Sequence, residues 1–230
     1  MADKNMEIKD VQQFNYAHND TSVPERESRT AALNRLCVSD TVARLRAEAQ
    51  AKQIPVATDE TLNFLLTLAL ATKAQRMLEV GCAWGLTSLA LLETLPQASL
   101  TAIERDESFY NRAKQNLNGY SSRCDLRLGD AAESLATLPD EAFDFIFLDC
   151  AKVQYVKLLP QLLRVLKKGG ALVADDVLLY GWVNGEFPVP KKRKMLVEHI
   201  REYITAVTSD ERLATSILDV GDGIALSVKK

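Results

Sequence analysis

The chain has 230 residues, 47% of them hydrophobic and 26% charged, with a formal net charge of −3. That length suits one α/β domain with a sizeable core, and the charge excludes a globally basic nucleic-acid binder, so any polyanion site must be a local patch. Two histidines (His18 and His199) and four cysteines (Cys37, Cys82, Cys124 and Cys150), none in a C-x-x-C pair, give no basis for a His-rich or zinc centre.

Residues 1–28 are polar, without a sustained period, and read as an arm. The opening MADKNMEIKDVQQ has no apolar stretch, and no apolar run approaches bilayer length. No secretory signal, no membrane span, reduced thiols and a cytoplasmic location are therefore expected. A helical pattern follows over residues 30–52, then the extended link Gln53-Ile54-Pro55-Val56, fixed by its proline. Thr58 suits an N-cap, Asp59 and Glu60 suit a first helical turn, and the helix through Ala71 is apolar enough to be buried.

Strands and helices then alternate. Strands are predicted over residues 76–81, 100–104, 125–128, 143–149 and 171–174, and helices over 86–95, 108–117, 155–166 and 195–207. His199 falls in the last of these helices and reads as structural. Gly169-Gly170 reads as the stop of the helix before the fifth strand. Residues 214–220 and 224–228, joined by Gly221-Asp222-Gly223, read as a hairpin. The pattern predicts an α/β fold: a mostly parallel seven-stranded sheet with a C-terminal antiparallel hairpin and helices on both faces. No linker divides residues 29–230, which read as one domain with an N-terminal helical extension.

The first strand runs into Glu79-Val80-Gly81-Cys82-Ala83-Trp84-Gly85, an E-x-G-x-x-x-G turn leading to a helix. Glycines there let a ligand approach the backbone, but the spacing is not that of a pyrophosphate cradle. It suits a cofactor without phosphate, such as S-adenosylmethionine. The second strand ends in Glu104, where a carboxylate can accept from ribose hydroxyls, and the third in Gly129-Asp130-Ala131, where an acid can accept from the adenine amino group. A lone glycine turn is equally well explained as structure. Three such signals on successive strand ends fall where open α/β sheets bind ligands.

Asp149 follows the fourth strand, and Asp175 and Asp176 follow the fifth. Three carboxylates on one rim repel unless a cation lies between them, and an all-oxygen set favours Mg²⁺, Ca²⁺ or Mn²⁺. The plainer alternative is helix caps or solvated loop acids, for Asp176 above all. Lys152 lies three residues beyond Asp149. Beside a cation and desolvated, its pKa would be lowered and it could act as a general base; the alternative is an ordinary exposed lysine.

The strings MLEVGCAWGLTSLALL, LTAIERD, GDA, FIFLDCAKVQY and GGALVADDVLLYG together resemble the class of metal-dependent O-methyltransferases, which includes catechol and caffeoyl-CoA methyltransferases and bacterial relatives. The resemblance covers residues 40–230. It implies a Rossmann-like methyltransferase fold, S-adenosylmethionine as cofactor, and a homodimer. It implies that Glu79, Gly81, Gly85, Ser88, Glu104, Asp130, Ala131 and Asp149 surround the cofactor, that Asp149, Asp175 and Asp176 hold the metal, and that Lys152 is the base. The class usually has Asn where this chain has Asp176; the extra charge should favour tighter cation binding and could change the preferred metal.

Within the class, Lys52-Gln53-Ile54-Pro55-Val56 and DDVLLYGWV…KKRKMLVEHIREY…LDVGDGIALSVKK are similar to bacterial tRNA 5-hydroxyuridine methyltransferases, which implies that Val56 lies near the cofactor. A 5-hydroxyuracil carries a hydroxyl beside its 4-carbonyl, a vicinal oxygen pair like that of a catechol, and one metal could grip both. Lys191, Lys192, Arg193 and Lys194 could bind phosphates, or could be a solvated helix start. Tyr180 and Trp182 could stack on a base, or pack. The expected activity is conversion of 5-hydroxyuridine to 5-methoxyuridine in tRNA. The alternatives are O-methylation of a small catechol-like phenolic substrate and, from another class, a non-catalytic nucleotide-binding scaffold.

Overall fold

The computed structural model describes residues 31–230, so the arm expected over residues 1–28 lies outside them. Helix α1 spans Asp40–Ala51 and α2 spans Asp59–Ala71. The helix expected from residue 30 starts ten residues later. Ser39 is extended (φ −64°, ψ 160°) and its hydroxyl accepts from Val42 N, which fixes the start there. Before it lie a short 3₁₀ turn, Ala31–Leu33, and an irregular stretch. Thr58 caps α2 as expected, accepting from Thr61 N at 3.1 Å, and Leu62, Leu65, Leu66 and Ala69 bury its apolar face.

From there the chain alternates: β1 (Arg76–Val80), α3 (Leu86–Thr94), β2 (Ser99–Glu104), α4 (Glu107–Asn116), β3 (Cys124–Leu128), α5 (Ala131–Ala136), β4 (Phe143–Leu148), α6 (Tyr155–Val165), β5 (Leu166–Ala174), α7 (Lys194–Ser209), β6 (Leu213–Leu218) and β7 (Ile224–Lys229). The sheet order is β3-β2-β1-β4-β5-β7-β6. The first five strands are parallel. β7 runs antiparallel between β5 and β6, as the expected C-terminal hairpin. The chain leaves β1 toward β2 and β3, then returns to the other side of β1 as β4. The strand order therefore reverses between β1 and β4, and a ligand crevice opens at their carboxyl ends.

Alternating residues feed two cores. Val80, Ile146, Leu148, Leu172 and Ala174 pack with α5, α6 and α7 on one face. Met77, Phe145, Phe147 and Val173 pack with α1 to α4 on the other. This is the Rossmann-like α/β architecture expected, with helices on both faces. Two local expectations are corrected. Gly169-Gly170 do not stop α6, which ends at Val165; they sit inside β5. There the register jumps from Phe143↔Leu166 to Phe145↔Ala171, so β5 advances five residues while β4 advances two. The six-residue α5 was not expected, being too short for a period to show. Among the described residues, no helix is long and apolar enough to cross a membrane.

Candidate active site

The E-x-G-x-x-x-G turn between β1 and α3 is held from several sides. A Cβ on Gly81 would lie 2.2 Å from the Asp149 carbonyl oxygen, and one on Gly85 would lie 2.9 Å from Leu117 Cδ1. Gly81 is thus demanded by backbone packing and Gly85 by its φ of +74°, whatever ligand the turn also admits. Ala83 N donates to Glu104 Oε2 at 2.8 Å, and Trp84 O accepts from Asn116 Nδ2 at 2.8 Å. The Trp84 ring has Lys52 Nζ at 5.3 Å and the Arg112 guanidinium at 5.1 Å, and both cations pair with Glu48 of α1. The N-terminal helix therefore grips the turn.

Glu104 ends β2 as expected. Its Oε1 accepts from Arg105 N and Asp106 N, both at 2.8 Å, and burial raises its pKa despite these bonds. Asp130 caps α5 through Ala132 N at 2.8 Å, so one of its oxygens has a structural task; Ala131 follows, half-buried. Val56 is half-buried two residues before the α2 cap. That cap reaches the acidic rim, since Thr61 Oγ1 lies 3.5 Å from Asp175 Oδ1. Ser88 is fully buried, and its hydroxyl donates to Glu79, itself 2% exposed.

The structure brings Asp149, Asp175, Asp176 and Lys152 together. Lys152 is 1% exposed; its Nζ lies 2.8 Å from Asp149 Oδ1 and 2.9 Å from Asp176 Oδ2. Asp176 is not a cap. It has left-handed backbone (φ 56°), a conformation Asn and Asp adopt more readily than most residues. Asp175 is 2% exposed, and its Oδ1 accepts from Asp176 N at 2.9 Å. Burial raises the pKa of Asp149 and Asp175, and Asp176 adds to both shifts. Burial opposes the Lys152 charge, but Asp149 and Asp176 outweigh it and hold the ammonium well above the ordinary lysine value. The lowered pKa expected of a base is therefore not a property of this arrangement. Burial pushes the neighbouring Cys150 thiol up to about 12, so the rim offers no thiolate at neutral pH.

Among the described residues, no three His, Cys, Asp or Glu side chains stand ready around one point as a metal cage. The donor chemistry still fits a hard divalent cation: three carboxylates, with the Lys152 ammonium between two of them as a stand-in positive charge.

The surface groups fare unevenly. Lys191, Lys192 and Lys194 are exposed, but Arg193 is buried, so the expected run of four cations presents three. Trp182 is 1% exposed, with Tyr180 packed edge-on at 5.0 Å; Trp182 is a core residue, not a stacking platform.

A family model for O-methyltransferases matches residues 29–230. This chain belongs to the O-methyltransferase family. It is 31% identical to caffeoyl-CoA O-methyltransferase of Populus kitakamiensis over 182 residues, 75% of this chain and 76% of that one. It is also 31% identical to tricin synthase 1 of Oryza sativa subsp. japonica, covering 73% of this chain and 70% of that one. A crystal structure of a putative caffeoyl-CoA O-methyltransferase from Staphylococcus aureus superposes with a TM-score of 0.77 at 25% identity, covering 97% of this chain and all of the other. The O-methyltransferase from Bacillus cereus in complex with SAH shares the fold, with a TM-score of 0.72 at 21% identity over 97% of this chain and 100% of that one. The scaffold alternative is thereby set aside.

Sequence reasoning missed three devices of this O-methyltransferase. Tyr155 bonds Lys152, Trp84 takes the grip of α1, and Asp222 accepts Tyr180 N at 2.7 Å. The Asp222 turn also holds Val177 N and Leu178 N through Gly223 O and Asp222 O, so the hairpin turn also clamps the segment carrying Asp176. A C-terminal G-D-G beside an acidic strand end was the one available signal.

Burial raises the Glu79 carboxyl from 4.5 to about 8, with Ser88 opposing the shift. The folded pKa is raised, so stability is full below about pH 4.5 and is lost as pH rises through about 8. The shift corresponds to at most about 5 kcal/mol. The melting temperature of the cofactor-free enzyme is expected to fall between about pH 5 and about pH 9, and Glu79→Gln to flatten that fall. Parallel melting curves for the two proteins would show that Glu79 is ionised at neutral pH.

Proposed function

We propose that this O-methyltransferase moves a methyl group from S-adenosylmethionine to the hydroxyl of a ring carrying two adjacent oxygens, with a divalent cation at the acidic rim. The observation that carries the reading is the gathering of Asp149, Asp175, Asp176 and Lys152 beside the turn of Gly81 and the carboxylate of Glu104. S-adenosylmethionine supplies a methyl group activated by its sulfonium. Asp149, Asp175 and Asp176 would hold the cation, which supplies Lewis-acid polarisation of the acceptor oxygens. Glu104 and Asp130 orient the nucleoside end of the cofactor, and the Gly81–Gly85 turn with Val56 and Ala131 closes around it. Lys152 takes the hydroxyl proton. It can do so only when Asp149 and Asp176 are engaged by a charge other than its own ammonium, so cation and base belong to one proposal.

For the acceptor, 5-hydroxyuridine in tRNA is supported by the exposed lysines 191, 192 and 194, which offer phosphates a local patch on an otherwise acidic chain. A small catechol-like phenol is favoured by the burial of Arg193 and Trp182, which removes two groups from any RNA contact, and by the names of the plant relatives.

Purified protein with labelled S-adenosylmethionine and Mg²⁺ is offered 5-hydroxyuridine-containing tRNA and catechol in parallel, with and without EDTA. The expected result is label that EDTA abolishes. Label on tRNA with little on catechol supports the tRNA reading, and the reverse replaces it with a small phenol. Label that survives EDTA removes the cation from the mechanism.

A further inference from the structure

Tyr155 opens α6 and is fully buried. Its hydroxyl accepts from Lys152 Nζ at 2.9 Å and donates to Leu148 O at 2.9 Å, with Asp175 O at 3.2 Å as a second acceptor. Leu148 ends β4 immediately before Asp149, and the Asp175 carbonyl precedes Asp176. One hydroxyl thus ties together the ends of two strands and the lysine between their acids. The ring is fixed as well: the Tyr203 ring meets it edge-on at 5.2 Å and 72°. A buried tyrosine needs a partner for its hydroxyl, but either carbonyl alone would satisfy it. The bond to Lys152 does something else: it holds a long, flexible amine at one point of the rim.

We propose that Tyr155 is the positioning residue of the O-methyl transfer, fixing the Lys152 amine at one point of the rim. It touches neither cofactor nor acceptor and acts through Lys152, so the inference rests on Lys152 being the proton acceptor. Proton transfer demands a donor–acceptor distance near hydrogen-bond length, and a misplacement of about 1 Å can cost about 100-fold. Binding makes no such demand, so the signature of positioning is a loss in kcat without a loss in affinity.

Tyr155→Phe keeps the ring and its packing on Tyr203 and removes only the hydroxyl. With 5-hydroxyuridine tRNA or catechol, whichever takes label above, kcat is expected to fall about 10- to 100-fold. KM for acceptor and the calorimetric affinity for S-adenosylmethionine should stay within about twofold. Adding Tyr155→Phe to Lys152→Met should cost nothing further, since the tyrosine acts only through the lysine. If Lys152→Met turns over like the wild type, the reading of Lys152 fails and this inference with it. If Lys152→Met is impaired while Tyr155→Phe keeps full kcat, or the two losses multiply, the inference alone is overturned. Should Tyr155→Phe not fold, 3-fluorotyrosine at position 155 keeps the shape and weakens the acceptor oxygen. A lowered kcat at unchanged KM then supports positioning, and an unchanged kcat overturns it.

Discussion

Lys152→Met is expected to lower turnover by about 10²- to 10⁴-fold, the range associated with loss of a general base. Affinity for S-adenosylmethionine should stay within about threefold, because the amine touches Asp149, Asp176 and Tyr155 and no part of the Gly81–Gly85 turn proposed to receive the cofactor. Methionine matches the volume of the lysine stem in a site 1% exposed, so no large cavity opens. The charge change has its own consequence. The ammonium now neutralises two carboxylates whose side chains are 29% and 31% exposed, and its removal leaves them facing one another. The cation-free variant should therefore melt lower than the wild type, and calorimetry should show tighter binding of Mg²⁺ or Ca²⁺, because no ammonium competes for Asp149 and Asp176. Single-turnover kinetics with saturating cofactor measures the first effect directly. Wild-type turnover would make Lys152 a structural counter-ion and return the search for a base to the rim.

What could be read in the sequence is what periodicity and strand ends carry. Seven strands, their mostly parallel order and the C-terminal hairpin followed from runs such as FDFIFLD and from alternation with helices. Glu104, Asp149, Asp175 and Lys152 fell on one rim because Glu104 ends a strand and the others follow one by at most a few residues. Directions of side chains were not legible. Arg193 has the composition of a phosphate-facing residue, yet it turns into the protein. A one-residue step on a helix rotates a side chain by about 100°, and spacing alone cannot fix which face meets the crevice. The charge state of Lys152 was illegible for a related reason. It depends on whether two carboxylates lie within about 3 Å, and that is set by the left-handed backbone at Asp176 and by the Asp222 clamp some forty residues later. The β5 irregularity was missed because Gly169-Gly170 is an equally good helix stop and bulge, and only strand register separates the two.

Gly81→Ala is expected to destabilise the fold by about 3–5 kcal/mol, which for a chain of this size lowers the melting temperature by roughly 10 °C or more. The reason is local and steric. The added Cβ would lie 2.2 Å from Asp149 O, 2.8 Å from Asp149 C and 3.0 Å from Cys150 Cα, all backbone atoms that cannot rotate away. The φ of +90° is in addition one that an L side chain rarely adopts. Relief requires the β1 turn to separate from the end of β4, yet Asp149 N donates to Val80 O at 2.9 Å and Gly81 N to Ile103 O at 2.9 Å, so the movement breaks the sheet ends themselves. The Gly81–Gly85 turn sits on one side of that seam and Asp149 on the other. On the proposed site, affinity for S-adenosylmethionine should therefore fall by about 100-fold or more in whatever fraction stays folded, and turnover should fall further, since that site would align the methyl group and its acceptor across the same seam. Gly119→Ala supplies the contrast: a Cβ there would meet no atom within 4 Å, and that substitution should leave melting and affinity unchanged. A Gly81→Ala enzyme that melts with the wild type would mean that the two strand ends slide freely past one another, and a site divided between them could not hold its reacting atoms in line.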